Sequence, residues 1–387
     1  MRFDYTEEQR LVAESVRRFV QQDYGFEARR RIIASAEGWS REVWATIAEL
    51  GLLALPLPTL HGGFGGRAID LLAPMEAFGD ALLVEPYLST LVAARLIERC
   101  GSEVQQAALL PAIGEGRLVV VFAHAEAGAR HDLSHVATTV KPVIPAKAGI
   151  QSPGSVIPAK AGIQSHLTGK KRGVLHAPCA DKLIVSARDG NDVRLFLVDR
   201  ADVTLHERVT LDNLRAGDIE MRETPAQPLG ERDAMPAIEE AADYATALLC
   251  AEAVGAMTYA NEATLEYLKT RKQFGVPIGS FQALQHRMVD MVIECEQARS
   301  MASLACARVD AASDPVARVR IVSAAKIKIA DAASRISQES VQLHGGMGMS
   351  DELKVSHTFR RLTAIARELG DVDYHLDRFA RSSAARG

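Results

Sequence analysis

Two stretches in the last third of the chain carry residue types that could hold a ligand. Gln342 to Met349 reads QLHGGMGM, and Arg271 to Gly275 reads RKQFG. Glycine inside a helix costs about 1 kcal/mol relative to alanine, so Gly345, Gly346 and Gly348 need a reason. Each stretch has a structural use. QLHGGMGM can be a helix that ends on a glycine cap, and RKQFG a cationic helix C-terminus that complements the dipole. Each also has a chemical use. A backbone without Cβ lets a ligand come close while Gln342 offers its amide. The planar guanidinium of Arg271 suits phosphate. His124, His131 and His135 have metal-like spacing, but no H-E-x-x-H and no cysteine partner accompanies them, so no metal site is expected. No G-x-S-x-G, Walker loop or G-x-G-x-x-G occurs. HGGFGG at His61–Gly66 lacks a strand-turn-helix setting and reads as a turn.

The elements that must position these residues are mostly helices. Thr6, followed by Glu7 and Glu8, forms a helix N-cap with an acidic first turn, and Leu11, Val12, Val16, Phe19 and Val20 follow at helical spacing. LPLPTLHGGFGGRAID, Leu55 to Asp70, interrupts the helices, which resume and run to about residue 117. From 118 to 228 the texture becomes β-rich, with RLVVVFAHA, DKLIVSAR, VRLFLVDR and DVTLHERVTL separated by turn residues. Beyond Pro236 the pattern is helical to the end. One helix of over thirty residues precedes RKQFG, and long helices at about 280–312 and 316–343 follow. The expected fold class is α+β: an N-terminal helical domain over 1–117, a middle antiparallel β domain over 118–228, and a C-terminal long-helix bundle over 229–387.

VIPAKAGIQS occurs twice without a substitution, at Val143–Ser152 and Val156–Ser165. A solenoid needs at least three stacked units and usually a longer period. The unit holds few apolar side chains and two breakers, so a surface insertion in a hairpin of the β domain is expected, with a repeated docking peptide as the functional alternative.

The chain has 387 residues, 48% hydrophobic and 24% charged, with a net charge of −4. No basic excess points to a nucleic-acid or membrane-surface binder. Five scattered cysteines read as reduced thiols. The amphipathic N-terminus has no signal-peptide core, and no apolar run reaches the ~18 residues of a membrane span. A cytoplasmic protein is expected.

YLKTRKQFGVPIGSFQALQHRMVDM and VQLHGGMGM, in this order and separation, resemble the acyl-CoA dehydrogenase family of flavoproteins. The HGGFGG turn, the helix–sheet–helix order and the N-terminal TEEQ agree, so the resemblance covers nearly the whole chain. LCAEAVGAM, YLKTRKQFGVPIG and GDVDYHL are similar to the small subunit of pimeloyl-CoA dehydrogenase and other paired-subunit members. The resemblance implies FAD as cofactor, an acyl-CoA substrate oxidised to the 2,3-enoyl-CoA, and an electron-transfer acceptor. It also implies that Arg271, Phe274, Gln282 and the segment Gln342, Leu343, His344, Gly345 and Gly346 hold the ADP half of a neighbouring subunit's FAD.

The same resemblance points to missing parts. The flavin-wrapping T-E-P-x-x-G-S-D segment reads AEAGARHD here, Ala125 to Asp132, and the W-I-T segment reads Gly173-Val174-Leu175. The family removes the α proton with a carboxylate whose pKa is lifted by desolvation. The usual base position, about twenty-seven residues beyond Gln342, is Leu369. Glu368 is adjacent but on a helix would point ~100° away. The alternative base position aligns with Ala245, and Glu252 lies two turns further on. Glu368 and Glu252 are therefore the candidates for a displaced base, with a solvated or paired helix carboxylate as the structural alternative. Three readings follow: a half-site subunit that completes a large partner subunit's FAD site, a self-sufficient homotetramer, and a non-enzymatic assembly subunit or remnant.

Overall fold

The computed structural model describes residues 6–142, 165–230, 232–311 and 314–384. Both copies of VIPAKAGIQS, apart from Ser165, lie outside these residues. Six helices come first: α1 (Glu7–Gln22), α2 (Phe26–Ala34), α3 (Arg41–Glu49), α4 (Leu72–Ala81), α5 (Tyr87–Cys100) and α6 (Glu103–Gly114). Thr6 caps α1 as its sequence predicts: its hydroxyl accepts from Gln9 N–H at 3.2 Å, and the Gln9 amide oxygen accepts from Thr6 N–H at 2.9 Å. This reciprocal pair satisfies two of the donors that a helix start leaves open.

Seven strands follow: β1 (Val120–Ala123), β2 (Thr139–Pro142), β3 (Ser165–Leu175), β4 (Lys182–Asp189), β5 (Asp192–Asp199), β6 (Thr204–Val209) and β7 (Arg215–Leu229). The pairings β4–β2, β2–β3, β3–β7, β7–β5 and β5–β4 close into a ring, with β1 on β4 and β6 on β7. The sheet is mixed rather than antiparallel: β1 and β2 both run parallel to β4. Parallel pairing needs a long connection, and the chain passes through β2 and β3 before it returns to β4. On either side of the repeat, β2 and β3 pair antiparallel with Pro142 opposite Ser165.

The last part holds α7 (Met235–Thr270), the two-residue strands β8 (Lys272–Gln273) and β9 (Val276–Pro277), then α8 (Gln282–Val309), α9 (Pro315–His344), α10 (Lys354–Ile365) and α11 (Val372–Ala384). α9 packs against α8, α10 and α11. The 36-residue α7 is covered on every side along its middle, where Tyr244, Leu248, Val254 and Met257 are buried. Its crossing with α4 depends on reciprocal glycines. A Cβ on Gly79 would stand 1.8 Å from the Glu252 carbonyl oxygen, and one on Gly255 1.8 Å from that of Glu76.

The chain divides into two compact units. One comprises Met1–Leu88, Val209–Leu214 and Ala242–Gly387; the other comprises Ser89–Arg208 and Arg215–Ala241. Val209–Leu214 starts at the last residue of β6 but belongs with the helices. Buried Arg29 anchors it there, donating to the Asp212 carbonyl at 3.2 Å and to the Leu82 carbonyl at 2.6 Å.

Candidate functional site

The two glycine-containing motifs meet at one end of the helical bundle. Tyr267, near the end of α7, stacks on His344, the last residue of α9, with ring centroids 4.5 Å apart. One turn earlier, the Thr264 and Ser340 hydroxyls are 2.8 Å apart. Arg271 therefore leaves α7 where Gln342 to Gly346 leave α9. His344 Nδ1–H donates to the Ser340 carbonyl at 2.8 Å, which fixes the tautomer. Burial pushes its pKa below the usual histidine value, so the ring stays neutral. The Leu343 and His344 side chains are buried, so only their backbone is available to a ligand. Gln342, Gly345 and Gly346 are exposed.

Beyond Arg271 the chain makes a tight hairpin between β8 and β9. Phe274 (φ 54°) and Gly275 (φ 81°) both take left-handed conformations, the pattern of a two-residue hairpin turn. Phe274 is 91% exposed and meets Phe281 edge-on at 6.0 Å. Gln282, the first residue of α8, is exposed as well.

The three glycines of QLHGGMGM have three different reasons. Gly345 caps α9 at φ 61°, ψ −144°, a region open to glycine alone. A Cβ on Gly348 would stand 2.6 Å from the Val341 carbonyl oxygen. Gly346 has no left-handed φ, and a Cβ there would meet nothing within 4 Å. Nothing within the described chain demands glycine at 346.

The base positions lead to an arginine. α10 ends at Ile365, so Glu368 and Leu369 lie in the turn before α11 and not on a helix. Glu368 therefore lacks the ~100° offset from Leu369 that a helix would impose. Leu369 takes φ 58° and its carbonyl accepts from His375 Nε2–H at 3.0 Å. Glu368 turns to Arg361 of α10, whose Nη1 donates to it at 3.1 Å. Glu252 meets the same arginine through two bonds, 2.6 Å from Nε and 3.0 Å from Nη2. Asp212 adds a third carboxylate at 2.8 Å. Ala245, at the alternative base position, is buried. Burial pushes the Glu368 pKa up despite Arg361, with Glu252 and Asp212 adding to the rise. Nearby, buried Lys326 donates to the Ile365 carbonyl, and burial lowers its pKa.

Sequence reasoning found Glu252 and Glu368 but missed Arg361 and Asp212. A signal was available for Arg361. Val355, Thr358, Leu362 and Ile365 mark the buried face of α10, and Arg361 belongs to that buried set. A charge on such a face must find partners. Asp212 follows strand-like sequence and carries no comparable signal.

Between β1 and β2, Ala125–Asp132 is held through Glu126 by residues outside the segment. Glu126 accepts from Lys171 at 2.6 Å, from Ala137 N–H at 2.7 Å and from the Thr138 hydroxyl at 2.7 Å. Burial brings the Lys171 pKa down to about 8, against the pull of Glu126. His124 is also occupied, with Nε2–H donating to the Leu133 carbonyl at 3.0 Å and Nδ1 lying 2.8 Å from the Ser186 hydroxyl. Gly173 takes φ 58° and donates its N–H to Asp218 at 2.9 Å.

Known proteins match along the chain. The acyl-CoA dehydrogenase N-terminal domain family matches residues 6–117, and the acyl-CoA dehydrogenase C-terminal domain family matches residues 235–384. The chain belongs to the acyl-CoA dehydrogenase family of oxidoreductases. Acyl-CoA dehydrogenase IpdE2 of Mycobacterium tuberculosis is 30% identical over 365 residues, covering 94% of this chain and 93% of its own. The ChsE4–ChsE5 complex from Mycobacterium tuberculosis superposes with a TM-score of 0.86 at 25% identity over 99% of both chains. PigA with FAD and proline gives a TM-score of 0.86 at 27% identity over 100% of both chains. Among the described residues, no helix is long and apolar enough to cross a membrane.

Proposed function

We propose that this chain is the half-site subunit of a heteromeric acyl-CoA dehydrogenase, an assembly that oxidises an acyl-CoA thioester to the 2,3-enoyl-CoA. Its contribution is a surface. Arg271, Phe274, Gln282 and the backbone from Gln342 to Gly346 complete the FAD site of a large partner subunit. The observation that carries this reading is Gly346, a glycine that neither conformation nor packing within the chain requires. A nucleotide against that backbone supplies the reason, because a Cβ would occupy the space of the approaching group. Exposed Phe274 and the guanidinium of Arg271 stand at the same bundle end, where apolar cover and phosphate charge are needed.

These residues fit the adenosine-diphosphate half of FAD, which when bound supplies the hydride acceptor for the α,β-oxidation. The flavin half fits poorly within this chain. Ala127, Arg130, Gly173 and Leu175 offer neither an aromatic wall nor a hydroxyl. Glu126 is spent on Lys171 and Thr138. The carboxylates nearest the base positions, Glu252 and Glu368, are both bound to Arg361. Each is therefore engaged by a buried guanidinium rather than left open to a substrate proton. In this reading the partner carries the base and the flavin wall, and electrons leave to a separate acceptor. That ChsE4 and ChsE5 form a complex supports an assembly of unlike chains.

The test is the visible flavin absorbance per subunit, measured for the chain expressed alone and co-expressed with a candidate partner. Colour only in the co-expressed complex is the expected outcome. A second reading, a self-sufficient homo-oligomer with Glu368 as base, is favoured by the upward shift of that carboxyl. It requires that Glu368→Gln abolish turnover in a flavin-loaded homo-oligomer.

A further inference from the structure

Three neighbouring strands, β6, β7 and β3, frame a groove of about 410 Å³. Lys170 and Arg172 line it from β3, Asp218 and Glu220 from β7, and His206 and Arg208 from β6. Each pair is spaced i, i+2, the spacing that places two strand residues on one face. Lys170 stands directly opposite Glu220 in the β3–β7 register.

The two carboxylates are each shared by two cations. Asp218 Oδ2 accepts from both Arg172 and Arg208, and its Oδ1 accepts from Gly173 N–H at 2.9 Å. Glu220 Oε1 lies 2.9 Å from Arg222 and 3.4 Å from the Lys170 ammonium. Three of these cations, Lys170, Arg172 and Arg208, line the groove against the two carboxylates, while Arg222 bonds Glu220 from outside it, so the groove carries a positive excess on a chain whose net charge is −4. One cation on each carboxylate would be enough to tie the strands, so the excess has no structural use here.

The geometry is that of an anion fork. Two guanidiniums converge on a single oxygen of a buried carboxylate, yet their own side chains stay 48% and 61% exposed. Each guanidinium has five N–H donors, and the bond to Asp218 engages only part of that set. A tetrahedral dianion can bridge two such forks, and its negative charge would meet the positive excess of the groove. The groove volume falls within the range of small-ligand sites.

We propose that this groove binds the phosphate monoester of a nucleotide-sized ligand, with Arg172 and Arg208 as its two clamps and Lys170 and His206 at its rim. The phosphate can come from the 3′-phosphate of a coenzyme A-type substrate or from a free phosphate compound. The site is built within one compact unit and does not depend on the half-site reading.

The experiment is calorimetric titration of the full chain with adenosine 3′,5′-bisphosphate, ADP and inorganic phosphate at constant ionic strength. Arg208→Ala and the milder Arg208→Gln are compared with wild type, with Lys182→Ala, on the same sheet outside the groove, as control. The proposal predicts saturable binding that weakens at least tenfold in both Arg208 variants and is unchanged in the control. Tighter binding of the bisphosphate than of inorganic phosphate assigns the site to the coenzyme head. Equal binding assigns it to free phosphate. Absence of saturable binding, or equal affinity in wild type and both Arg208 variants, overturns the proposal. Since no flavin or turnover is read, failure here leaves the half-site reading to its own test.

Discussion

Arg361 donates to Glu252, Asp212 and Glu368 at once, so removing its charge leaves buried carboxylates without a counter-ion. Breaking such a cluster from one side costs about 3–5 kcal/mol. Arg361→Met is expected to lose stability on that scale in urea unfolding, and adding Glu252→Leu should restore part of it. The titrating residues give a second test. Burial pushes His375 and His124 down to about 4, from 6.5 when unfolded. Between those values the unfolded chain binds more protons, so their contribution is complete above pH 6.5 and is lost as pH falls toward 4. His375→Gln should flatten the acid limb of a stability–pH profile. Glu368 has the opposite sign, because its folded pKa lies above the ordinary value of 4.5. Its contribution is present at low pH and is lost as pH rises, so Glu368→Gln should gain stability relative to wild type toward neutral pH. Glu252 and Glu368 were legible in the sequence as the carboxylates nearest the base positions. Arg361 was open to a signal as a charge on the buried face of α10, but its pairing with them was not, because α10 and α7 are brought together only by folding.

The elements set sharper tests than the residues alone. Gly346→Ala should leave the unfolding midpoint of the chain unchanged, since its Cβ meets nothing, while loosening FAD in the assembled complex. Gly348→Ala should destabilise the chain itself, because its Cβ would collide with the Val341 carbonyl 2.6 Å away. A reversed order in thermal melts of the isolated chain would contradict the account of this motif. The length of α7 and the positions of α8 and α9 were legible from sequence, since long apolar periodicity is a strong helix signal. The ending of α10 at Ile365 was not. Leu369 and Gly370 reverse the chain there with φ 58° and 113°, and a leucine in that conformation gives no turn signal. The parallel pairing of β1 and β2 with β4 was also hidden, because alternation within a strand does not encode the direction of its neighbour.

At the scale of the molecule, the two halves of a flavin site are unequal in one chain under the proposed half-site reading. The bundle end presents Arg271, Phe274, Gln282 and an unobstructed Gly346 outward. The sheet segment and the base positions are tied up by internal partners, Lys171 with Glu126 and Arg361 with Glu252 and Glu368. The order of helices, sheet and bundle was legible because composition changes sharply near residues 118 and 230. A site shared between chains is visible in one sequence only as residues that have no use within it. The most direct measurement is the flavin content of the purified chain expressed alone, read from its visible absorbance against subunit concentration. The half-site account predicts a folded, helical, colourless protein that becomes yellow only with a partner subunit. One FAD per subunit in the chain alone would contradict it.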